Sequence, residues 1–246
     1  MSDRPPTLGI LGGGRAAWAY GSAWRRVGWP ITGVWLRQES TSRLPELLKA
    51  PRRALHELSA DLLLVAVSDR AIAEVVERIP ETDAIIFHAS GSLTALRGGF
   101  SLHPLKSLPP VGQPSDLENT LLVFEGSRRE TARRIARDLG ARFAEVTKEQ
   151  KARYHAGAVF GSNYVALMLD LAEELIGIEN VKGDLVALAV SAMENWRKEE
   201  GARRFTGPAV RGDQETLERH LEALKDDPET AELYRLLAAR IVAAAK

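Results

Sequence analysis

Through residue 146, short apolar runs alternate with stretches of helical period. Thr7–Leu11 is apolar and runs into Gly12-Gly13-Gly14, after which Arg15–Val27 carries a helical pattern. Ile31–Leu36 is β-branched and aromatic, which predicts a strand. Thr41–Ala50 reads as a short helix. Asp61–Val67 is a continuous apolar run bounded by polar residues, the pattern of a strand buried on both faces. Arg70–Ile79 reads as a helix and Ala84–Phe87 as a further buried strand. Ser101–Ser115 holds four prolines and reads as an irregular loop. Thr120–Phe124 and Arg142–Val146 complete the strands. The helix between those two is expected to start at a capping box, Ser127 with Glu130, and to stop at Gly140. Strands alternating with helices predict an α/β fold, a doubly wound and mostly parallel sheet with helices on both faces.

The pattern changes after Val146. Thr147 and Gln150 form a second capping box, and the remainder predicts helices over Lys148–Ile176, Asp184–Glu200, Gln214–Lys225 and Pro228–Ala245. Two domains follow: residues 1–147 for the sheet, and an all-α domain over 148–246. The leucines of the helical half, Leu167, Leu171, Leu175, Leu185, Leu188, Leu233, Leu236 and Leu237, exceed what one sheet domain can cover, so a homodimer through this half is expected.

Composition removes several function classes. The 246 residues carry 33 Lys plus Arg against 33 Asp plus Glu, without the basic excess of a nucleic-acid binder. Cysteine is absent, which excludes disulfides, thiolate metal sites and cysteine nucleophiles. The five histidines lack HExxH or HxxxH spacing, so no metal site is expected. No signal peptide or apolar run of spanning length is read, and the expected compartment is the cytoplasm, with no membrane partner.

Gly12-Gly13-Gly14-Arg15-Ala16-Ala17 is a GxGxxA pattern between a predicted strand and a predicted helix. Such glycines let backbone approach a dinucleotide pyrophosphate at a helix N-terminus, which nominates Gly12, Gly14, Arg15 and Ala16. The end of the second strand distinguishes NAD from NADP, since an acid there binds ribose hydroxyls and an arginine accepts the 2′-phosphate. Arg37 followed by Ser40, Thr41 and Ser42 points to NADP; Glu39 is a contrary signal. Ser68 and the His88-Ala89-Ser90-Gly91 segment end strands on the same side of the sheet, which adds Ser68 to the cofactor residues and Ser90 to the substrate residues. His103, before Pro104, is either a substrate contact or part of a rigid turn, and Lys106 is equally open. Steps of four along the first C-terminal helix place Lys151, His155 and Asn163 on one face, with Ser162 beside it. Arg211, in Thr206-Gly207-Pro208-Ala209-Val210-Arg211-Gly212-Asp213, suits a bidentate carboxylate contact.

The glycine loop, the Ser90-Gly91 after His88, His103-Pro104-Leu105, YHAGAVFGSNYVALM and TGPAVRGD together resemble a family of oxidoreductases that joins a Rossmann-like domain to a helical C-terminal domain of unknown function. The family is similar to 6-phosphogluconate dehydrogenase, ketopantoate reductase and pyrroline-5-carboxylate reductase. The resemblance spans nearly the whole chain and implies NADPH-dependent reduction of a small carbonyl substrate, with a 2-oxo acid of the ketopantoate type as the nearest guide. In that superfamily a lysine and an asparagine on the helix after the Rossmann domain do the polar chemistry. Asn163 stands in the asparagine place, but Val159 and His155 occupy the two preceding turns and Lys151 lies a further turn back. His155 is then the expected proton donor, with Asn163 and Ser162 orienting the carbonyl or imine and Arg211, His103, Ser90 and Lys151 holding substrate. A non-catalytic dinucleotide sensor and a cyclic imine reductase are the alternatives.

Overall fold

Seven strands lie in the order β2-β1-β3-β4-β5-β6-β7 in the structure, a computed structural model that describes residues 4–37 and 40–245. They are β1 Leu8–Leu11, β2 Ile31–Trp35, β3 Leu62–Val65, β4 Ile85–His88, β5 Phe100–Pro104, β6 Leu121–Gly126 and β7 Arg142–Glu145. Helices α1 Arg15–Arg26, α2 Leu44–Leu48, α3 Asp69–Arg78 and α4 Arg129–Asp138 connect them. All neighbours pair parallel except β5 with β6, which run antiparallel.

Alternation along the strands sends side chains to two separate cores. Leu8, Ile10, Leu64, Phe87 and Phe100 pack with Tyr20 and Trp24 of α1 and Ile135 of α4. Leu11, Leu63, Val65 and Ile86 pack with Ile72 and Val75 of α3 on the other face. Both faces are covered, as an α/β sheet with crossover helices requires. Fully buried Tyr20 satisfies its hydroxyl by donating to the Leu102 carbonyl at 2.6 Å.

Three expectations are corrected. β5 occupies the start of the segment read as an irregular loop. Its sequence alternates, with Phe100 and Leu102 in the first core and Ser101 and His103 on the opposite face, so only half of it is apolar. The helix expected to be capped by Ser127 instead follows Arg128, which takes the left-handed conformation at φ 64° and provides no side-chain cap. The long helix expected over 148–176 is two: α5 Lys151–Phe160 and α6 Asn163–Ile176, separated at Gly161 and Ser162. Ser162 Oγ donates to the Ala158 carbonyl at 2.7 Å, a side-chain bond that stands where the helical ladder stops. The second capping box is present: Thr147 N–H donates to Gln150 Oε1 and Gln150 N–H to Thr147 Oγ1, in the turn before α5.

The chain divides into two compact units, residues 4–164 and 165–245 among those described, so α5 packs as part of the sheet unit. The boundary expected from sequence, after residue 147, precedes α5. The second unit contains the rest of α6, then α7 Lys182–Lys198, the single turn α8 Pro208–Arg211, α9 Gln214–Ala223 and α10 Pro228–Ala244. Asp213 and Asp227 cap α9 and α10 by accepting from Thr216 and Thr230 N–H. Leu185, Ala209 and Ala231 are the buried apolar residues of this unit among those described, whereas Leu188, Trp196 and Leu236 are 66, 59 and 57% exposed.

Candidate active site

Strand β1 feeds the glycine turn directly. The Gly12 N–H donates to the Trp35 carbonyl, and Ala66 N–H donates to the Leu11 carbonyl, tying the ends of β1, β2 and β3 together. Gly12 has φ 121°, and a Cβ there would run into the Ala66 carbonyl, so the position admits only glycine. Gly14 is the N-cap of α1 and provides no side-chain cap, leaving the first N–H groups of the helix open. Ser42 Oγ donates to the Gly13 carbonyl and holds the segment after β2 against the turn.

The result is a cleft of about 680 Å³ at the carboxyl ends of β1, β2 and β3. Gly12, Gly14, Arg15, Ala16, Arg37 and Ser68 all line it. Arg52 donates to the Arg37 carbonyl and brings a second guanidinium to that end of β2. Glu39 lies outside the described residues. The chain turns to one side of β1 for β2 and to the other for β3, the topological switch where open sheets bind ligands. Open helix-end donors, a close backbone approach and hydroxyls beside arginines are the groups a phosphorylated dinucleotide requires.

A second group of polar side chains gathers at the carboxyl ends of β4 and β5, where α5 lies over the Ser101 and His103 face. Lys151, 1% exposed, donates from Nζ to Ser101 Oγ at 2.5 Å, and Ser101 in turn donates to the Ser90 carbonyl at 2.9 Å. One turn on, Tyr154 and His155 meet His103. The Tyr154 hydroxyl is 2.6 Å from His103 Nδ1, and the His103 and His155 rings stand edge to face at 5.7 Å. His155 fits against Gly91, whose missing side chain makes the space. Asp69, at the start of α3, accepts from both Ser90 Oγ and Ser92 Oγ and fixes the loop after β4.

Burial sets the protonation of this group. It lowers Lys151 from 10.5 to about 8, against the opposing pull of Glu125 and Asp69. It lowers His103 to about 4, assisted by the positive charges of His155 and Lys151, and raises Tyr154 to about 12. His88, also lowered by burial, accepts from Ser90 N–H at Nδ1 and bonds the Thr94 carbonyl through Nε2. Its ring closes the turn after β4.

The structure thus assembles His155, His103, Ser90 and Lys151. The Ser90 hydroxyl is taken by Asp69 and Lys151 is sealed behind Ser101, so both support the site from beneath. Ser162 and Asn163 bond to one another at the break beyond α5, two turns from His155. Lys106 is held within its own loop by the Asp116 carbonyl. Arg211 ends α8 in the second unit and is exposed. Tyr154, Ser101 and Asp69 were not nominated from sequence, and Gly91 entered only with the segment after His88. The alternation of Phe100–Pro104 was the available signal for Ser101, and the i, i+3 spacing from Lys151 was the one for Tyr154.

Comparison with known proteins places this architecture. The chain superposes on a candidate NADP oxidoreductase from Bacteroides fragilis with a TM-score of 0.81 at 25% identity, covering 97% of this chain and 98% of that one. A Thermotoga maritima protein gives 0.76 at 22% identity, over 97 and 98%. A reductive aminase from Aspergillus terreus, crystallised with an NADPH species, cyclohexanone and allyl amine, gives 0.68 at 14% identity, over 97 and 93%. No curated protein matches the sequence. No helix among the described residues is long and apolar enough to cross a membrane. Residues 121–241 match the family described as Domain of unknown function (DUF2520), a match that begins at β6 inside the sheet. The chain is thus similar to that family over its last two strands, β6 and β7, which complete a Rossmann-like sheet, and over the helices that follow.

Proposed function

We propose that this protein is an NADPH-dependent reductase of a small carbonyl substrate, of which 2-oxo acids are the class to test first. The observation that carries the reading is the placement of two sites on one sheet edge. The glycine-turn cleft stands at the carboxyl ends of β1–β3, and the His155–His103 group stands at those of β4 and β5. Gly12–Ala16 would hold the phosphates of a dinucleotide and Arg37 its 2′-phosphate. Bound NADPH supplies a hydride. The chain supplies position and a proton: His155 donates to the heteroatom of the reacting double bond, an imidazole being suited to proton transfer near neutral pH. Lys151, through Ser101, and Asp69, through Ser90, hold the loop on which His155 rests. Asn163 and Ser162 are the candidates for orienting the substrate.

An imine is the second substrate class, suggested by the likeness of the fold to a reductive aminase. The reading is tested by titrating the protein with NADPH in a calorimeter and following NADPH oxidation over a panel of 2-oxo acids and cyclic imines. Binding with turnover on one class is the expected result. Absence of NADPH binding overturns it.

A further inference from the structure

His103 and His155 bring the same ring nitrogen to one place. A Cβ built on Gly91 would lie 3.0 Å from His103 Nε2 and 2.9 Å from His155 Nε2. The two nitrogens are thus at most about 6 Å apart, and one oxygen beside them can take a hydrogen bond of about 2.9 Å from each. The missing side chain of Gly91 is what lets both rings come so close to its backbone.

Tyr154 fixes which hydrogen His103 carries. Its hydroxyl meets Nδ1 at 2.6 Å. A phenol is the stronger donor and an unprotonated ring nitrogen the stronger acceptor, so the stable pairing is O–H to Nδ1, which leaves the ring hydrogen on Nε2. Burial, assisted by His155 and Lys151 of α5 and against the opposing pull of Asp69 of α3, keeps His103 neutral down to about pH 4. Tyr154 stays protonated up to about 12. His103 can therefore offer a hydrogen bond without surrendering a proton.

We propose that His103, oriented by Tyr154, is a neutral Nε2–H donor that shares with His155 the oxygen of the substrate carbonyl, and that this pair selects carbonyls over imines. The assignment rests on the reductase reading above. A carbonyl oxygen has two lone pairs and accepts from both rings. An imine nitrogen has one lone pair, which the proton of His155 takes, and a protonated imine has none, so with either of them the His103 N–H is left without an acceptor. Site donors left unpaired in this way discriminate strongly between otherwise similar substrates. In the reaction, bound NADPH would supply the hydride that forms the new C–H bond at the carbonyl carbon and would be released as NADP⁺. The π pair of the C=O bond moves to oxygen, and oxygen takes the proton of His155. The product is an alcohol, His155 recovers its proton from water, and His103 keeps its own throughout.

The test begins without cofactor. Proton–nitrogen NMR of the imidazole rings should find His103 as the Nε2–H tautomer, unchanged from pH 5.5 to 8. In Tyr154→Phe, which removes one oxygen atom, that tautomer should lose its dominance. A His103 that titrates near 6.5, or carries its hydrogen on Nδ1, overturns the inference. Turnover is then compared on a 2-oxo acid and a cyclic imine of similar size. The wild type should prefer the carbonyl at least ten-fold in kcat/KM. His103→Phe should lower kcat on the carbonyl about 100-fold, the scale for loss of one oxyanion donor, and leave the imine rate within two- to three-fold. Tyr154→Phe should lower the carbonyl rate less and spare the imine equally. Faster imine than carbonyl turnover, or equal losses on both, overturns this inference while leaving the reductase reading intact. No NADPH binding removes both.

Discussion

Lys151 on α5 and Ser101 on β5 make a buried contact in which an ammonium group, 1% exposed, donates to a neutral hydroxyl. A charge so placed is held for geometry at the expense of stability. The contact ties α5 to the sheet, and through the Ser90 carbonyl it ties both to the loop under His155.

Stability should accordingly depend on pH in a definite direction. Folded Lys151 releases its proton at about 8, whereas in the unfolded chain it does so at the ordinary 10.5. Between those values the unfolded state binds more protons, so this residue makes stability rise with pH from about 8 to 10.5. The full effect is about 3 kcal/mol, at about 1.4 kcal/mol for each unit. Below pH 8 both states are charged and the burial penalty is complete. Urea unfolding of the wild type and Lys151→Met at pH 7, 9 and 10.5 isolates the contribution. The wild type should gain on the variant as pH rises; parallel pH profiles would contradict the assignment.

Cofactor preference should follow Arg37. The side chain stands at the end of β2, lines the cleft, and is joined there by Arg52. Arg37→Asp should weaken NADPH binding by about 1.5–3 kcal/mol, the worth of a charged hydrogen bond, and should leave NADH less affected or improved. Calorimetry with both cofactors on both proteins reads the difference. Equal wild-type affinity for NADH and NADPH would remove Arg37 from this role.

The helical unit should dimerise. Of the leucines noted in the sequence, Leu185 is buried, but Leu167, Leu175, Leu188, Leu236 and Leu237 are all more than 40% exposed, as are Met193 and Trp196. Apolar surface on this scale is the mark of an interface. Sedimentation at micromolar concentration should give twice the 27.0 kDa chain mass. Leu188→Glu should shift the population toward monomer, and a monomeric wild type would refute the proposal.

Continuous apolar strands and the glycine turn were legible because their signals are local. Leu62–Val65 and Gly12–Gly14 each say in a few residues what they form. β5 was hidden because its second face is polar by design of the site: Ser101 and His103 interrupt the apolar run, and Pro104 ends the strand. The break between α5 and α6 was hidden for another reason. Gly161 and Ser162 are tolerable inside a helix, and sequence periodicity alone continues through them. The proximity of Tyr154 to His103 joins residues 51 apart, and no local pattern contains it. What sequence supplied was the helix face bearing Lys151 and His155; what it lacked was the strand opposite.

Gly91 offers a probe of His155 that takes no polar group away. Its backbone is not in the left-handed region, so alanine brings no φ strain, yet the added methyl would overlap the His155 ring. Gly91→Ala should displace the imidazole without removing a polar group. NADPH affinity should stay within a few-fold, since the glycine-turn cleft is not touched. Turnover should fall by about 10²–10⁴-fold, the contribution of a positioned general acid, and His155→Ala should fall by a similar factor. If both losses arise from one imidazole, the double variant should be no slower than the worse single one, a large non-additivity. Losses that multiply would mean that Gly91 and His155 act separately. An active His155→Ala protein with a lowered melting temperature would make the ring a packing element and leave proton donation to another member of the group.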